Sequence, residues 1–276
     1  MNKYTPTILT IAGSDPYGGA GVQVDAKTIH ALDGYAFTVT TALTAQNSTG
    51  VKALSATSKA MFKMQLESLL DDIYVDAVKI GMLANTEIIE VVVEVIQKYK
   101  LKNIVLDTVL VSSSGKMLLE KSAIEVMVEK LFPLVDLITP NLLEINQLLN
   151  RNYKGYEEEA KSIGLAFFDL GVKAVLVKGG HSYDTKNATD FLVEKLSLVE
   201  KASLVTSYTT PRVETTHTHG TGCLLSSAIA TSLAHGKTLQ TSVKCAKDFL
   251  YKSMQSASSI TFRYVNENEK RKEPLI

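Results

Sequence analysis

Apolar positions along the chain follow two alternating rhythms. Short, unbroken β-branched runs predict strands at 7–12 (TILTIA), 37–42 (FTVTTA), 77–80, 103–106 (NIVL), 134–139 (LVDLIT) and 174–177 (AVLV). Between them, apolar residues recur three and four apart. The clearest case is Met61, Phe62, Met64, Leu66, Leu69 and Leu70. This spacing predicts helices over 22–32, 59–72, 86–99, 121–131, 142–149 and 157–170. Strands separated by helices of this length indicate βαβ units, hence a mostly parallel sheet flanked by helices. The wholly apolar AVLV and NIVL fit strands covered on both faces. From Thr189 to Val213 the runs become short and polar-interrupted, which predicts antiparallel strands at a sheet edge; 223–235 returns to a helix. With no repeat, linker or low-complexity tract, residues 1–276 read as one doubly wound α/β domain.

Composition narrows the partners. The 276 residues are 45% hydrophobic and 21% charged, ordinary for a globular protein. Basic and acidic residues balance at 29 each, which argues against an extended nucleic-acid surface but not against a local basic pocket. Two cysteines, Cys223 and Cys245, make no disulfide framework. The apolar run before Gly13 and Asp15 is too short for a secretory signal, and no stretch reaches the roughly 18 apolar residues of a membrane span. A soluble cytoplasmic protein is expected, with no nucleic-acid or membrane partner.

In open α/β sheets ligands bind beyond the carboxyl ends of the strands. Here those ends carry Gly13, Ser14 and Asp15; Gln46 and Asn47; Lys79, Gly81 and Met82; Asp107; Asn141 and Glu144; and Lys178, Gly179 and Gly180. Together they suit an anionic ligand and a divalent cation. The glycine-rich GSDPYGGAG, 13–21, is neither GxGxxG nor a P-loop with GK[ST], so a dinucleotide fold or Walker NTPase is disfavoured. It reads either as a plain turn or as the wall of a small-molecule site, with Asp25 of the next helix facing the pocket.

THTHGTGC, 216–223, is the sharpest stretch. His217, His219 and Cys223 could ligate a metal, but no CxxC or HxxxH accompanies them. A redox cysteine needs a resolving partner that the sequence does not place, and a plain turn is also open. The reading with the best physics is a helix start. Gly220, Thr221, Gly222 and Cys223 precede a run rich in Ala, Ser and Leu, so curled backbone N–H groups and the helix dipole converge on an anion. A thiol there can have a lowered pKa, equipping Cys223 as a base or as a donor to a substrate hydroxyl.

The set AGSD..GGAG.Q.D.KT, TAQN, KIGM, SG..LL, TPN..E, KGGH and HGTGC resembles, in this order and over about 8–234, the hydroxymethylpyrimidine (phosphomethylpyrimidine) kinase family of thiamine biosynthesis. The resemblance implies a ribokinase-like fold, a central mostly parallel sheet with helices on both faces. It also implies ATP- and Mg²⁺-dependent phosphorylation of 4-amino-5-hydroxymethyl-2-methylpyrimidine and of its monophosphate by a homodimer. By position it implies that Gln46 bonds the pyrimidine, with Gly13, Asp25, Met82 and Val109 around it. Asp107, Asn141 and Glu144 serve the magnesium–phosphate side, with Asp107 and Glu144 toward the metal. Lys178 meets the nucleotide phosphates, and Gly220, Thr221, Gly222 and Cys223 form the anion hole. Thr108 and Leu110 replace the family's usual proline and methionine, which bears on the pocket wall. Lys116 stands where an acid is common, in a flap near Ser112 to Gly115, and His217 where asparagine is usual. Two other readings remain: a pyridoxal kinase, which shares part of the motif set, and a catalytically silent ligand-binding protein on the same scaffold.

Overall fold

A computed structural model of the chain describes residues 4–111, 115, 117–181, 184–196, 202–215 and 218–257. The strands are β1 (Thr7–Ser14), β2 (Tyr35–Asn47), β3 (Gly50–Ala56), β4 (Ala77–Ile80), β5 (Ile104–Leu106), β6 (Leu137–Ile138), β7 (Ala174–Val177), β8 (Asn187–Lys195) and β9 (Ser203–Pro211). They form one sheet in the order β3-β2-β1-β4-β5-β6-β7-β8-β9. The six from β2 to β7 in that order run parallel, while β3 at one edge and β8 and β9 at the other are antiparallel. The helices are α1 (Gly21–Ala31), α2 (Lys59–Leu70), α3 (Thr86–Tyr99), α4 (Lys121–Val126), α5 (Leu142–Leu149), α6 (Glu157–Asp169), α7 (Thr221–Ala234) and α8 (Leu239–Gln255). None among the described residues is long and apolar enough to cross a membrane.

Each parallel strand feeds two cores because successive side chains point to opposite faces. On one face Leu9 and Ile11 of β1 pack with Phe62 and Leu66 of α2, Ile88 and Val92 of α3, and Ile163 and Phe167 of α6. On the other, Ile8 packs with Ile29 of α1, Ile229 of α7 and Val243 of α8. α7 is buried from Leu224 to Ser232. Two of its hydroxyls turn back onto the helix, Ser226 to the Gly222 carbonyl and Thr231 to that of Ser227, while Ser227 donates to Asp25 of α1.

The elements depart from the pattern in four places. β2 runs five residues beyond the predicted end at 42 and turns into β3, which the pattern did not announce. The run 134–139 is a strand only at Leu137–Ile138, because Pro133 lies in a 3-10 turn over Phe132–Leu134. The helix expected over 121–131 is α-helical to Val126 and then widens into a π turn over Met127–Leu131. The pattern also missed α8, capped by the Thr238 hydroxyl accepting the Thr241 N–H. The expected antiparallel edge is present as β8 and β9.

Candidate active site

A cavity of about 710 Å³ opens beyond the carboxyl ends of the parallel strands, a size that suits a small molecule. β1 delivers Gly13 to it, β2 Gln46, β4 Met82, β5 Asp107 and Val109, β7 Lys178, and α5 brings Asn141 and Glu144. Gly220, Thr221, Gly222 and Cys223 enter from the head of α7. Thus the residues to which the resemblance gives a binding or catalytic role all line one cavity except Asp25.

At one end the charged groups interlock. Lys178 donates to Asp107 Oδ1 at 2.8 Å, and the Thr139 hydroxyl donates to the same oxygen at 3.0 Å. Burial works against the Asp107 charge, but Lys178 and Lys79 outweigh it and hold the carboxyl below its usual range. Glu144 closes a capping box on α5: its Oε2 accepts the Asn141 N–H at 2.8 Å, while the Asn141 side chain accepts the Glu144 N–H at 3.0 Å. Burial first, and then the negative Asp107, push Glu144 up to about 7, with Lys178 opposing. The result is one fixed carboxylate beside one poised to ionise when positive charge arrives.

The head of α7 closes against these groups. Gly220 has a φ of 82°, and a Cβ there would run into the Gly19 carbonyl; the loop from β1 and the loop before α7 dock backbone on backbone. A Cβ at Gly222 would lie 3.1 Å from Asp107 Oδ2 and 3.4 Å from Lys178 Nζ. Glycine therefore brings the first turn of a helix, with its unpaired N–H groups, right up to the ion pair. Cys223 follows on that turn. The expectation of a lowered thiol pKa is overturned: desolvation outweighs Lys79 and the Gly21 N–H and pushes the thiol up to about 11. At neutral pH Cys223 is a protonated thiol, a hydrogen-bonding group rather than a ready base.

Asp25 also needs correction. It is wholly buried behind the cavity wall, where both its oxygens accept from Lys79 Nζ at 2.8 Å. The hydroxyls of Thr10 and Ser227 add bonds of 2.6 and 2.8 Å. With four hydrogen bonds from three donors inside the fold, Asp25 neutralises Lys79 and lies outside the cavity lining. Ser227 lies one turn after Cys223, so this pair sits directly beneath the thiol.

Elsewhere on the cavity wall, Gln46 Nε2 lies 3.1 Å from His219 Nε2, which is itself 3.2 Å from Asp15 Oδ2. His219, weighed as a metal ligand in the sequence, is instead bound to protein groups; His217 lies outside the described residues. Among the described residues no group of three or more His, Cys, Asp or Glu is arranged to hold a metal. Thr108 and Leu110, expected at the pocket wall, are both fully buried away from it. The Thr108 hydroxyl donates to Glu144 Oε2 at 3.2 Å, and Leu110 joins the core. Lys116 and 112–114 are outside the described residues. Sequence reasoning missed Arg212 at the end of β9, which donates to the Gly180 and Gly179 carbonyls and so braces the turn after Lys178. It also missed the buried Lys247–Asp190 pair, 2.8 Å apart, whose aspartate accepts the Gly179 N–H. No motif announces contacts made between an edge strand and a helix.

The family model for phosphomethylpyrimidine kinase matches residues 15–267. The hydroxymethylpyrimidine/phosphomethylpyrimidine kinase of Salmonella typhimurium is 41% identical over 252 residues, 91% of this chain and 92% of that protein. The enzyme of the same name from Rhizobium meliloti is 39% identical, over 93% of each chain. The crystal structure of phosphomethylpyrimidine kinase from Clostridium difficile superposes with a TM-score of 0.78 at 38% identity, covering 91% of this chain and all of that one. The pyridoxal kinase of Bacillus subtilis, solved as an ADP complex, superposes at 0.84 with 28% identity, covering 95% and 98%. The sheet order, the docked glycine loops and the cavity thus sit on the ribokinase-like fold, and the chain belongs to the phosphomethylpyrimidine kinase family.

Proposed function

We propose that the protein transfers the γ-phosphoryl group of ATP to the hydroxymethyl group of 4-amino-5-hydroxymethyl-2-methylpyrimidine, and then phosphorylates the monophosphate, on the way to thiamine. The observation that carries this reading is one cavity lined by two chemically distinct sets of groups. Gln46, able to donate and accept together, offers itself to an aminopyrimidine edge. About the Asp107–Lys178 pair, the glycine-built head of α7 offers N–H groups to an anion. Relatives named for this activity, at about 40% identity over most of the chain, support it.

Phosphoryl transfer demands positioning and charge neutralisation more than covalent work by the protein. Lys178 and the N–H groups of Gly220 to Cys223 receive the charge of the moving group. Asp107 keeps Lys178 in place and charged. Cys223 meets the substrate hydroxyl as a neutral hydrogen-bonding thiol. Two carboxylates, Asp107 and Glu144, would hold magnesium, a hard cation that prefers oxygen donors. When bound, magnesium supplies neutralisation of the phosphate charge. Glu144, held near neutrality by burial, is the group such a cation would ionise.

A pyridoxal kinase is the second reading, supported by the Staphylococcus aureus pyridoxal kinase solved with AMP-PCP and pyridoxal, which superposes at a TM-score of 0.83. The test is ATP consumption by the pure protein with Mg²⁺, supplied in turn with the hydroxymethylpyrimidine, its monophosphate and pyridoxal. Turnover of the first two is the expected result. Turnover of pyridoxal alone, or binding without ATP consumption, overturns the proposal.

A further inference from the structure

We propose that His219, protonated on Nε2 and held by Asp15, turns the Gln46 amide so that its oxygen faces the imidazole, and that this orientation sets the preference for an aminopyrimidine edge over pyridoxal. The inference rests on the proposed function for the identity of the ring. The proton assignment itself rests on hydrogen-bond counting.

Two independent counts give the same answer. The first starts from Asp15, which is 2% exposed and accepts the N–H groups of Tyr17 at 3.0 Å and Gly19 at 3.1 Å. Burial disfavours its charge, but those donors and His219 hold it below the usual carboxylate range, so at neutral pH it is an acceptor only. An imidazole nitrogen 3.2 Å from such a carboxylate must carry a proton. Gln46 presents its amide nitrogen Nε2 at 3.1 Å from this nitrogen, which would set donor against donor; since the two ends of an amide are assigned from their partners, the network calls for the amide turned end for end, with its carbonyl oxygen toward His219. The second count starts from Thr44. A hydroxyl has one proton, and Thr44 gives its proton to the Ser14 carbonyl at 2.8 Å. Gln46 Oε1 lies 3.3 Å from Thr44 Oγ1, acceptor against acceptor once that proton is spent on Ser14, and the same end-for-end turn puts the amide nitrogen there as a donor. Oxygen toward His219 and nitrogen toward Thr44 satisfies every group.

So oriented, Gln46 keeps one lone pair and one N–H for the cavity, a fixed acceptor beside a fixed donor. An aminopyrimidine edge, with an exocyclic amino group next to a ring nitrogen, is its complement. The opposite placement would set N–H against the amino group, and would leave donor facing donor at His219 and acceptor facing acceptor at Thr44. The imidazole is seated as tightly as the amide. A Cβ on Gly19 would come within 2.6 Å of His219 Cδ2, so glycine is needed beneath the ring. His219 also precedes Gly220, so ring recognition and the anion hole hang on adjacent residues.

The experiment has two parts. Nitrogen-15 NMR of the histidine side chains in the wild type, with His219 identified by the signal lost in His219→Gln, should find Nε2 protonated. An unprotonated Nε2 overturns the proposal whatever the kinetics. Steady-state kinetics then compare His219→Leu, His219→Gln and Asp15→Asn, each verified as folded by thermal melting. His219→Leu should raise the KM for the hydroxymethylpyrimidine about tenfold and cut the pyrimidine-to-pyridoxal preference by a similar factor, with the KM for ATP unchanged. His219→Gln, which keeps an N–H near the Nε2 position, should restore most of both. Asp15→Asn, whose amide N–H can donate to Nε2 and so favour the tautomer protonated on Nδ1, should behave like the leucine variant. An unchanged preference in folded His219→Leu overturns the proposal, as does an equal loss of affinity for pyrimidine and ATP, which would mean simple loosening. If the wild type phosphorylates pyridoxal alone, the functional reading fails together with the preference, while the NMR result still judges the proton assignment.

Discussion

Glu144→Gln should stabilise the unliganded protein at pH 8 and leave it unchanged near pH 4.5. An ordinary glutamate loses its proton near 4.5, whereas Glu144 keeps its proton to about 7. Below 4.5 the group is neutral in folded and unfolded chains alike, and no penalty exists. As pH rises the unfolded chain ionises first, so the folded state loses stability until the folded group ionises too, and above about 7 the loss is complete. The gap between about 7 and 4.5 corresponds to about 3 kcal/mol at roughly 1.4 kcal/mol per pH unit. Glutamine is nearly isosteric, can occupy the same place in the capping box, and never ionises. Asp107, held below its usual range, stays charged throughout the window and contributes a constant background. Melting temperatures and urea midpoints should therefore diverge with pH, by on the order of 5–10 °C at pH 8. The assay is unfolding of both proteins from pH 4.5 to 8.5 in chelator, without nucleotide. Parallel curves would refute the reasoning, because they would mean that Glu144 titrates like an exposed carboxyl.

Three further outcomes follow from other contacts. Cys223, raised to about 11, should react with iodoacetamide at pH 7.5 more slowly than free cysteine and accelerate beyond pH 9; a fast reaction at neutral pH would restore it as a base. Gly220→Ala combines a φ of 82° with a Cβ driven into the Gly19 carbonyl, and should lower kcat on the order of a hundredfold by displacing the head of α7, measured by steady-state kinetics. Asp25→Asn strands the buried Lys79 ammonium and should cost roughly 3–5 kcal/mol in urea unfolding. A raised substrate KM without that loss would mean that Asp25 faces the ligand after all.

The central strands were legible because burial on both faces leaves an unbroken apolar signature, as in Ala77–Ile80 and Ala174–Val177, whose observed limits match the prediction. The edges were not. Gly50–Ala56 is an edge strand with Lys52 and Ala53 exposed, so no apolar face marks it. In α8 the polar residues Ser242, Lys247 and Ser253 are buried, which dilutes the helical stripe. Motif residues did converge on one cavity, since strand ends must meet at one side of a parallel sheet. What each does there depended on partners that no local pattern reveals. Asp25 looked like a ligand contact until Lys79, 54 positions away, was found beside it. Cys223 looked activated because a helix start is visible in sequence and desolvation is not.

The docking of the β1 loop onto the approach to α7 sets a timetable for synthesis. Asp15 and His219 are 204 positions apart, and Asp25 and Ser227 are 202. At about 5–20 residues per second, the first loop leaves the ribosome roughly 10–40 s before the groups it docks on. During that interval β1 can pair with β2 and β4, and Lys79 can find Asp25, but the head of α7 is still missing. Long-range closure of this kind makes the site one of the last parts of the molecule to form. On the proposed function, a chain cut short before residue 218 should therefore consume no ATP, with or without the pyrimidine, in a coupled ADP assay.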